Sequence, residues 1–105
     1  MDASGYPWPI ETIRLDNGLR VIASPDPSLA VVGINLWYDV GSRHEPAGRT
    51  GFAHLFEHLM FEGSLHVAKS EHFRLIQGSG GELNASTNPD RTNYFETVPA
   101  EHLEL

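Results

Sequence analysis

The sequence predicts an α+β fold, a mostly antiparallel sheet with helices packed on one face. Three observations lead there: turn signatures set between short apolar-containing runs, one long stretch of alternating residues, and one long run free of helix breakers. Asp16-Asn17-Gly18 separates Ile10 to Leu15 from Leu19 to Ala23, and Asn-Gly favours a tight hairpin because both residues tolerate positive φ. A first hairpin is expected within Glu11–Ala23. Pro25-Asp26-Pro27 then breaks the chain. Beyond it Val32, Ile34, Leu36, Tyr38 and Val40 alternate with Val31, Gly33, Asn35, Trp37 and Asp39, which predicts a long, mostly buried strand over Ala30–Val40.

Gly41 to Gly51 is a polar loop containing Gly and Pro. It leads into a helix over Phe52 to Glu62, with Thr50 as N-cap and Gly63 just past the end. A second helix is expected from Ser70 to Gly78, where the Gly78-Ser79-Gly80-Gly81 cluster stops it. Glu82–Thr87 and Thr92–Val98 flank the turn Asn88-Pro89-Asp90-Arg91 and form a second hairpin. Pro99, followed by Glu101 and Glu104, reads as the first turn of a further helix, because proline fits position N1 and carboxylates suit the positive end of the dipole. The sequence stops about one turn into that element. Residues 1–105 are therefore expected to be an N-terminal fragment of a single domain, with 1–9 an extended leading segment and no internal boundary.

Seven Lys and Arg against fourteen Asp and Glu give a formal charge of −7. That balance opposes the counterion release that drives binding to phosphate backbones, so nucleic acid is not an expected partner. With no cysteine, neither a disulfide framework nor a thiolate metal site can form, and any metal must be held by His, Asp or Glu. No window approaches the ~18 apolar residues of a membrane-spanning helix, and the first residues do not pair a basic segment with an apolar one.

The chemistry concentrates in His54-Leu55-Phe56-Glu57-His58. At about 100° per residue, His54, Glu57 and His58 share one narrow helical stripe, while Phe52, Leu55, Phe56, Leu59 and Met60 occupy the remainder. Imidazoles at i and i+4 can both reach one tetrahedral Zn²⁺ at ~2.0–2.1 Å, leaving Glu57 within reach of metal-bound water as a general base. The blander alternative is a surface helix whose two histidines and glutamate are simply solvated. His44, His66, His72 and His102 have no partner at ligand spacing and are read as structural or solvated.

The context extends beyond the motif. Leu15-Asp16-Asn17-Gly18-Leu19-Arg20-Val21, Val40-Gly41-Ser42-Arg43-His44-Glu45, the stretch from Gly51 to Gly63, and Gly81-Glu82-Leu83-Asn84-Ala85-Ser86-Thr87 running on to Asp90-Arg91-Thr92-Asn93-Tyr94 appear in order. Together they resemble the N-terminal part of the catalytic domain in the pitrilysin and insulin-degrading-enzyme family of inverted-motif zinc peptidases. The resemblance implies that His54 and His58 ligate Zn²⁺, that Glu57 is the general base on zinc-bound water, and that the third ligand, a glutamate, lies beyond residue 105. It also implies that Asn84, Ala85 and Ser86 belong to an edge strand that holds a peptide substrate by strand addition. A homologous second domain or subunit would complete the chamber. On this reading the parent protein is a zinc metalloendopeptidase, whereas residues 1–105 alone are inactive and prone to self-association. Two rival readings are a non-catalytic structural or assembly subunit of the same family and a simple metal-binding module. Retention of Glu57 with both histidines argues against the first, and the lack of a full ligand set argues against the second.

Overall fold

A computed structural model describes residues 7–105. Residues 1–6 of the expected leading segment lie outside the described residues, and Pro7–Pro9 take no regular structure. The architecture is α+β, with two antiparallel sheets and two helices.

Strands β1 (Glu11–Arg14) and β2 (Arg20–Ala23) pair with Glu11 opposite Ala23 and Arg14 opposite Arg20. The sequence expectation counted this hairpin within one sheet, whereas it forms a two-stranded sheet of its own. Its turn also differs from a two-residue Asn-Gly turn. Leu15 N–H donates to Leu19 O at 2.8 Å, which closes a loop of Asp16, Asn17 and Gly18. Only Gly18 takes positive φ (90°), while Asn17 Oδ1 accepts the Leu19 N–H at 3.0 Å. This is a longer hairpin loop with glycine at the left-handed position.

The main sheet has the order β3 (Val31–Tyr38), β5 (Thr92–Pro99), β4 (Glu82–Thr87), all antiparallel. Leu36 and Ala85 both lie opposite Tyr94, and Thr87 lies opposite Thr92. Since side chains alternate between faces, Ala85, Thr87, Thr92, Tyr94 and Glu96 share the face under the helices, and Asn84, Ser86 and Asn93 occupy the other.

Helix α1 (Phe52–Leu59) is shorter than the expected 52–62. After Met60 N–H bonds to Phe56 O, the chain tightens. Phe61 N–H donates to His58 O and Glu62 N–H to Leu59 O, an i to i+3 pattern that ends the α-helix. Thr50 is not the cap. Gly51 occupies that position at φ 91° and has no side chain to offer. The orphan amides are satisfied from outside the helix, by Glu45: its Oε2 accepts Gly51 N–H and its Oε1 accepts Ala53 N–H, each at 2.8 Å. Helix α2 (Glu71–Gly78) follows Ser70, and the segment after Pro99 is a 3-10 turn over Ala100–His102.

Ile76 and Val98 are the buried apolar residues, with Thr92 and Asn93 the buried polar ones. Around them Phe61 packs on Phe73 and against Tyr94, with ring centroids 4.8 and 5.7 Å apart, joining the end of α1 to α2 and β5. Strand β3 departs from expectation: most of its residues are exposed, with only Val32 and Leu36 half-buried. The cause is topological. Both helices pack chiefly against β4, so the apolar face of β3 has no helix of its own. Tyr38 and Val40 instead flank an open apolar recess of about 370 Å³ with Phe52, Phe56 and Met60.

Two outcomes follow. Glu45→Ala removes two charge-assisted acceptors from the start of α1 and should lower unfolding free energy by about 1–2 kcal/mol, measured by urea denaturation. The exposed β3 and α1 faces should make residues 1–105 associate at micromolar concentration, and Phe56→Ser should weaken that association in sedimentation velocity without reducing helix content.

Candidate metal centre

The polar stripe of α1 brings His54 and His58 together. Their Nε2 atoms are 2.9 Å apart and their ring centroids 4.6 Å apart. Glu57 sits between them in sequence, and one ligand atom from each of the three residues lies within 4.8 Å of the others. Both imidazoles are exposed and Glu57 is half-buried. Among the described residues this is the one such group of His, Asp and Glu. The donor set suits a borderline cation such as Zn²⁺. Two nitrogens bound tetrahedrally at ~2.0–2.1 Å lie about 3.3 Å apart, so the rings need open by only a few tenths of an ångström.

His54 and Glu57 line one side of an open cleft of about 440 Å³, and Ser86, Thr87, Asn88 and Pro89 line the other. His58 does not line the cleft and joins it through His54. The Thr87 hydroxyl donates to Glu57 Oε2, which ties the carboxylate to the end of β4.

The three residues expected to bind substrate take different places. β4 is an edge strand, and along such an edge every second residue turns its backbone groups outward. Ala85 shares the helix face with Glu57's partner Thr87. Asn84 lies on the opposite face, and its Oδ1 accepts the Ala85 N–H at 2.8 Å. Ser86 belongs to a polar network on that same far face. Its hydroxyl donates to Asn93 Oδ1 at 2.5 Å and accepts from Arg91 Nη1 at 2.6 Å, and Asn93 Nδ2 reaches Asn35 at 3.1 Å. The Arg91 guanidinium also lies 5.2 Å from the Trp37 ring.

The remaining histidines stay out of the cluster. His44 Nδ1 accepts the Gly41 N–H at 3.1 Å, His72 Nε2 contacts Glu96 Oε1, and His102 lies 3.6 Å from Glu101. Tyr94, beneath α1, is the group whose ionisation the site perturbs. Burial, then the Glu57 charge, then Tyr38 push its phenol above the ordinary value of about 10. Sequence reasoning missed Glu45, Thr87 and Tyr94 as contributors. No spacing rule could have joined them to the motif, although all three lie in stretches that carry the family resemblance.

Comparison with known proteins shows what the chain is similar to. A family model, Insulinase (Peptidase family M16), matches residues 20–105. The zinc protease PqqE of Helicobacter pylori is 38% identical over 96 residues, covering 90% of this chain and 22% of that protein. The mitochondrial-processing peptidase subunit beta of Blastocladiella emersonii is 35% identical over 99 residues, 89% of this chain and 21% of that protein. Among solved structures, pitrilysin superposes with a TM-score of 0.85 at 32% identity, covering 94% of this chain and 11% of that one. The chain thus spans about a fifth of the length of the curated relatives it matches. With the family model extending over most of its length, and with the inverted motif on a helix beside the β4 edge, the chain belongs to the insulinase family, peptidase family M16.

Proposed function

We propose that this chain contributes two zinc ligands and the general base to the site of a zinc-dependent endopeptidase. The observation that carries the reading is the convergence of the His54 and His58 Nε2 atoms beside the Glu57 carboxylate, at a cleft whose far wall is the edge strand β4. His54 and His58 would hold the metal through neutral imidazole nitrogens. A bound zinc would acidify water and polarise the scissile carbonyl. The chain's own part is proton handling and alignment. Glu57 accepts a proton from the attacking water and returns it to the departing amine. The β4 edge accepts a peptide as an added strand, with Ala85 on the side of the metal and the Asn84 carboxamide giving up the Ala85 N–H when the peptide arrives.

A third protein ligand is expected from outside these residues, because assigning Glu57 as base leaves two imidazoles, half of a tetrahedral set. The whole protein would then consist of this segment, the remainder of its domain and a homologous second domain or subunit. On this reading residues 1–105 alone bind zinc weakly and turn over no peptide. Equilibrium dialysis against zinc and a fluorogenic peptide assay test both halves, and tight stoichiometric zinc with turnover would overturn the incomplete ligand set.

In the zinc-loaded protein that bears these residues, Glu57→Gln should retain the metal and reduce kcat by about 10²–10⁴-fold, since the amide cannot take the proton. His58→Ala should lose the metal itself. Equal turnover of Glu57→Gln and the unaltered protein would remove Glu57 from the base role.

The charge on Glu57 is also readable without turnover. Tyr94 should ionise above the ordinary tyrosine range, and Glu57→Gln should lower its pKa part of the way back, leaving the contribution of burial. Ultraviolet titration of the protein against its Tyr94→Phe variant isolates the phenol. Because the folded value is raised, the associated stability is present below about pH 10 and is lost as pH rises through the folded pKa.

A further inference from the structure

We propose that Thr87 is a positioning residue for the Glu57 carboxylate, an inference that rests on the peptidase reading above. Among the described residues, the only hydrogen bond to that carboxylate comes from the Thr87 hydroxyl, across thirty positions of sequence. A glutamate side chain has three rotatable bonds, and Glu57 lies in the last turn of α1, where helical structure gives its head no fixed direction. Thr87 supplies that direction because its own backbone is held by its one neighbouring strand and by the turn that follows it. It forms the last rung of the β4–β5 ladder opposite Thr92, whose hydroxyl donates to Val40 O at 2.9 Å. The following turn is closed by Asn88, which donates its N–H to Arg91 O at 3.0 Å and accepts from the Asp90 and Arg91 amides at 2.9 and 2.8 Å. The loop after β3 then locks onto that turn. Ser42 and Arg43 amides donate to Asn88 O and Pro89 O at 3.2 and 3.0 Å, and Arg43 pairs with Asp90 at 2.9 Å.

A β-branched side chain adds a restricted χ1 to this fixed backbone. The hydroxyl therefore engages one carboxylate oxygen, Oε2, and leaves Oε1 without a hydrogen-bond partner among the described residues, on a side chain that lines the cleft. In the reaction, Oε1 takes a proton from water as the water oxygen bonds to the scissile carbonyl carbon. The proton then passes to the amine nitrogen as the carbon–nitrogen bond breaks. Thr87 exchanges no proton in either step. It selects which oxygen is available and where it points, a contribution to alignment rather than to ligand or substrate affinity.

The test compares Thr87→Val, which keeps the shape and removes the donor, with Thr87→Ser, which keeps the donor. In the zinc-loaded protein, Thr87→Val should lower kcat by about 10- to 100-fold with KM within about twofold and zinc affinity unchanged, and Thr87→Ser should restore most of kcat. The second readout needs neither metal nor turnover: the ¹³C resonance of the Glu57 carboxyl should shift in Thr87→Val, return in Thr87→Ser, and leave the His54 and His58 ring signals in place. Undiminished kcat in Thr87→Val, an unmoved carboxyl resonance, or loss of zinc affinity in that variant would overturn the proposal. An inactive unaltered protein would sink the peptidase reading, and the carboxyl resonance would then decide the positioning on its own.

Discussion

The clasp between Glu45 and the first amides of α1 is the interaction on which the geometry of the site depends. A helix opening on a glycine in the left-handed region cannot cap itself, and its unsatisfied N–H groups leave its entry angle undetermined. Glu45 bonds Gly51 and Ala53 together with both carboxylate oxygens, so the direction of α1 is dictated by the loop that precedes it. That loop is in turn set by Gly41. A Cβ at Gly41 would stand 2.2 Å from Asn88 O and 2.7 Å from Pro89 O, so only glycine lets the two backbones approach closely enough to bond. The His44 ring, accepting the Gly41 N–H, holds the same junction from its other side. A single meeting of loop 41–45 with turn 88–91 therefore places both halves of the site, the helix with its histidines and glutamate and the strand end with Thr87.

Much of this arrangement is legible in the sequence, and the exceptions share a cause. The strand at 82–87, the strand beginning at Thr92, the helix beginning at Phe52 and the helix ending at Gly78 follow from periodicity, breakers and turn chemistry, all local properties. The inverted motif on a helix is legible for the same reason. The exposure of β3 is not, because alternation reports that a strand has an apolar face and says nothing about which element covers it. The cap is illegible too. Thr50 is the best local candidate by residue type, but a carboxylate arriving from six and eight residues upstream outcompetes it, and sequence spacing gives no sign of that. Thr87 is beyond local reading altogether, since its contact with Glu57 exists only once the hairpin and helix have met.

The two faces of the main sheet divide the work. The face under the helices carries the groups that meet α1 and α2: Thr87, Tyr94 with Phe61 against it, and Glu96 in contact with His72. The other face carries Arg91, Ser86, Asn93 and Asn35 in one hydrogen-bonded network spanning all three strands, with Arg91 also over Trp37. Asn93 at its centre is buried, and no buried side-chain nitrogen or oxygen lacks a partner among the described residues. A network satisfied in this way fixes strand register, because a one-residue slip of β4 would carry Ser86 to the opposite face, taking a donor from Asn93 Oδ1 and an acceptor from Arg91 Nη1.

That register matters more at an edge than within a sheet. β4 has a neighbour on one side only, and an edge strand free to slide or fray would present its outward backbone groups at no fixed height relative to α1. Register here sets which side chain faces Glu57. With Ser86 held at Asn93, Thr87 necessarily falls opposite Thr92 on the helix face, one position along and pointing the other way. The far-side network and the near-side contact are thus two expressions of the same alternation: polar residues that never approach the histidines determine where the carboxylate's partner stands. The two walls of the cleft are positioned by different bonds, the helix by Glu45 and the strand end by Arg91 and Asn93, and the meeting of loop 41–45 with turn 88–91 joins them. The one side-chain hydrogen bond described between the two walls is that of Thr87 with Glu57.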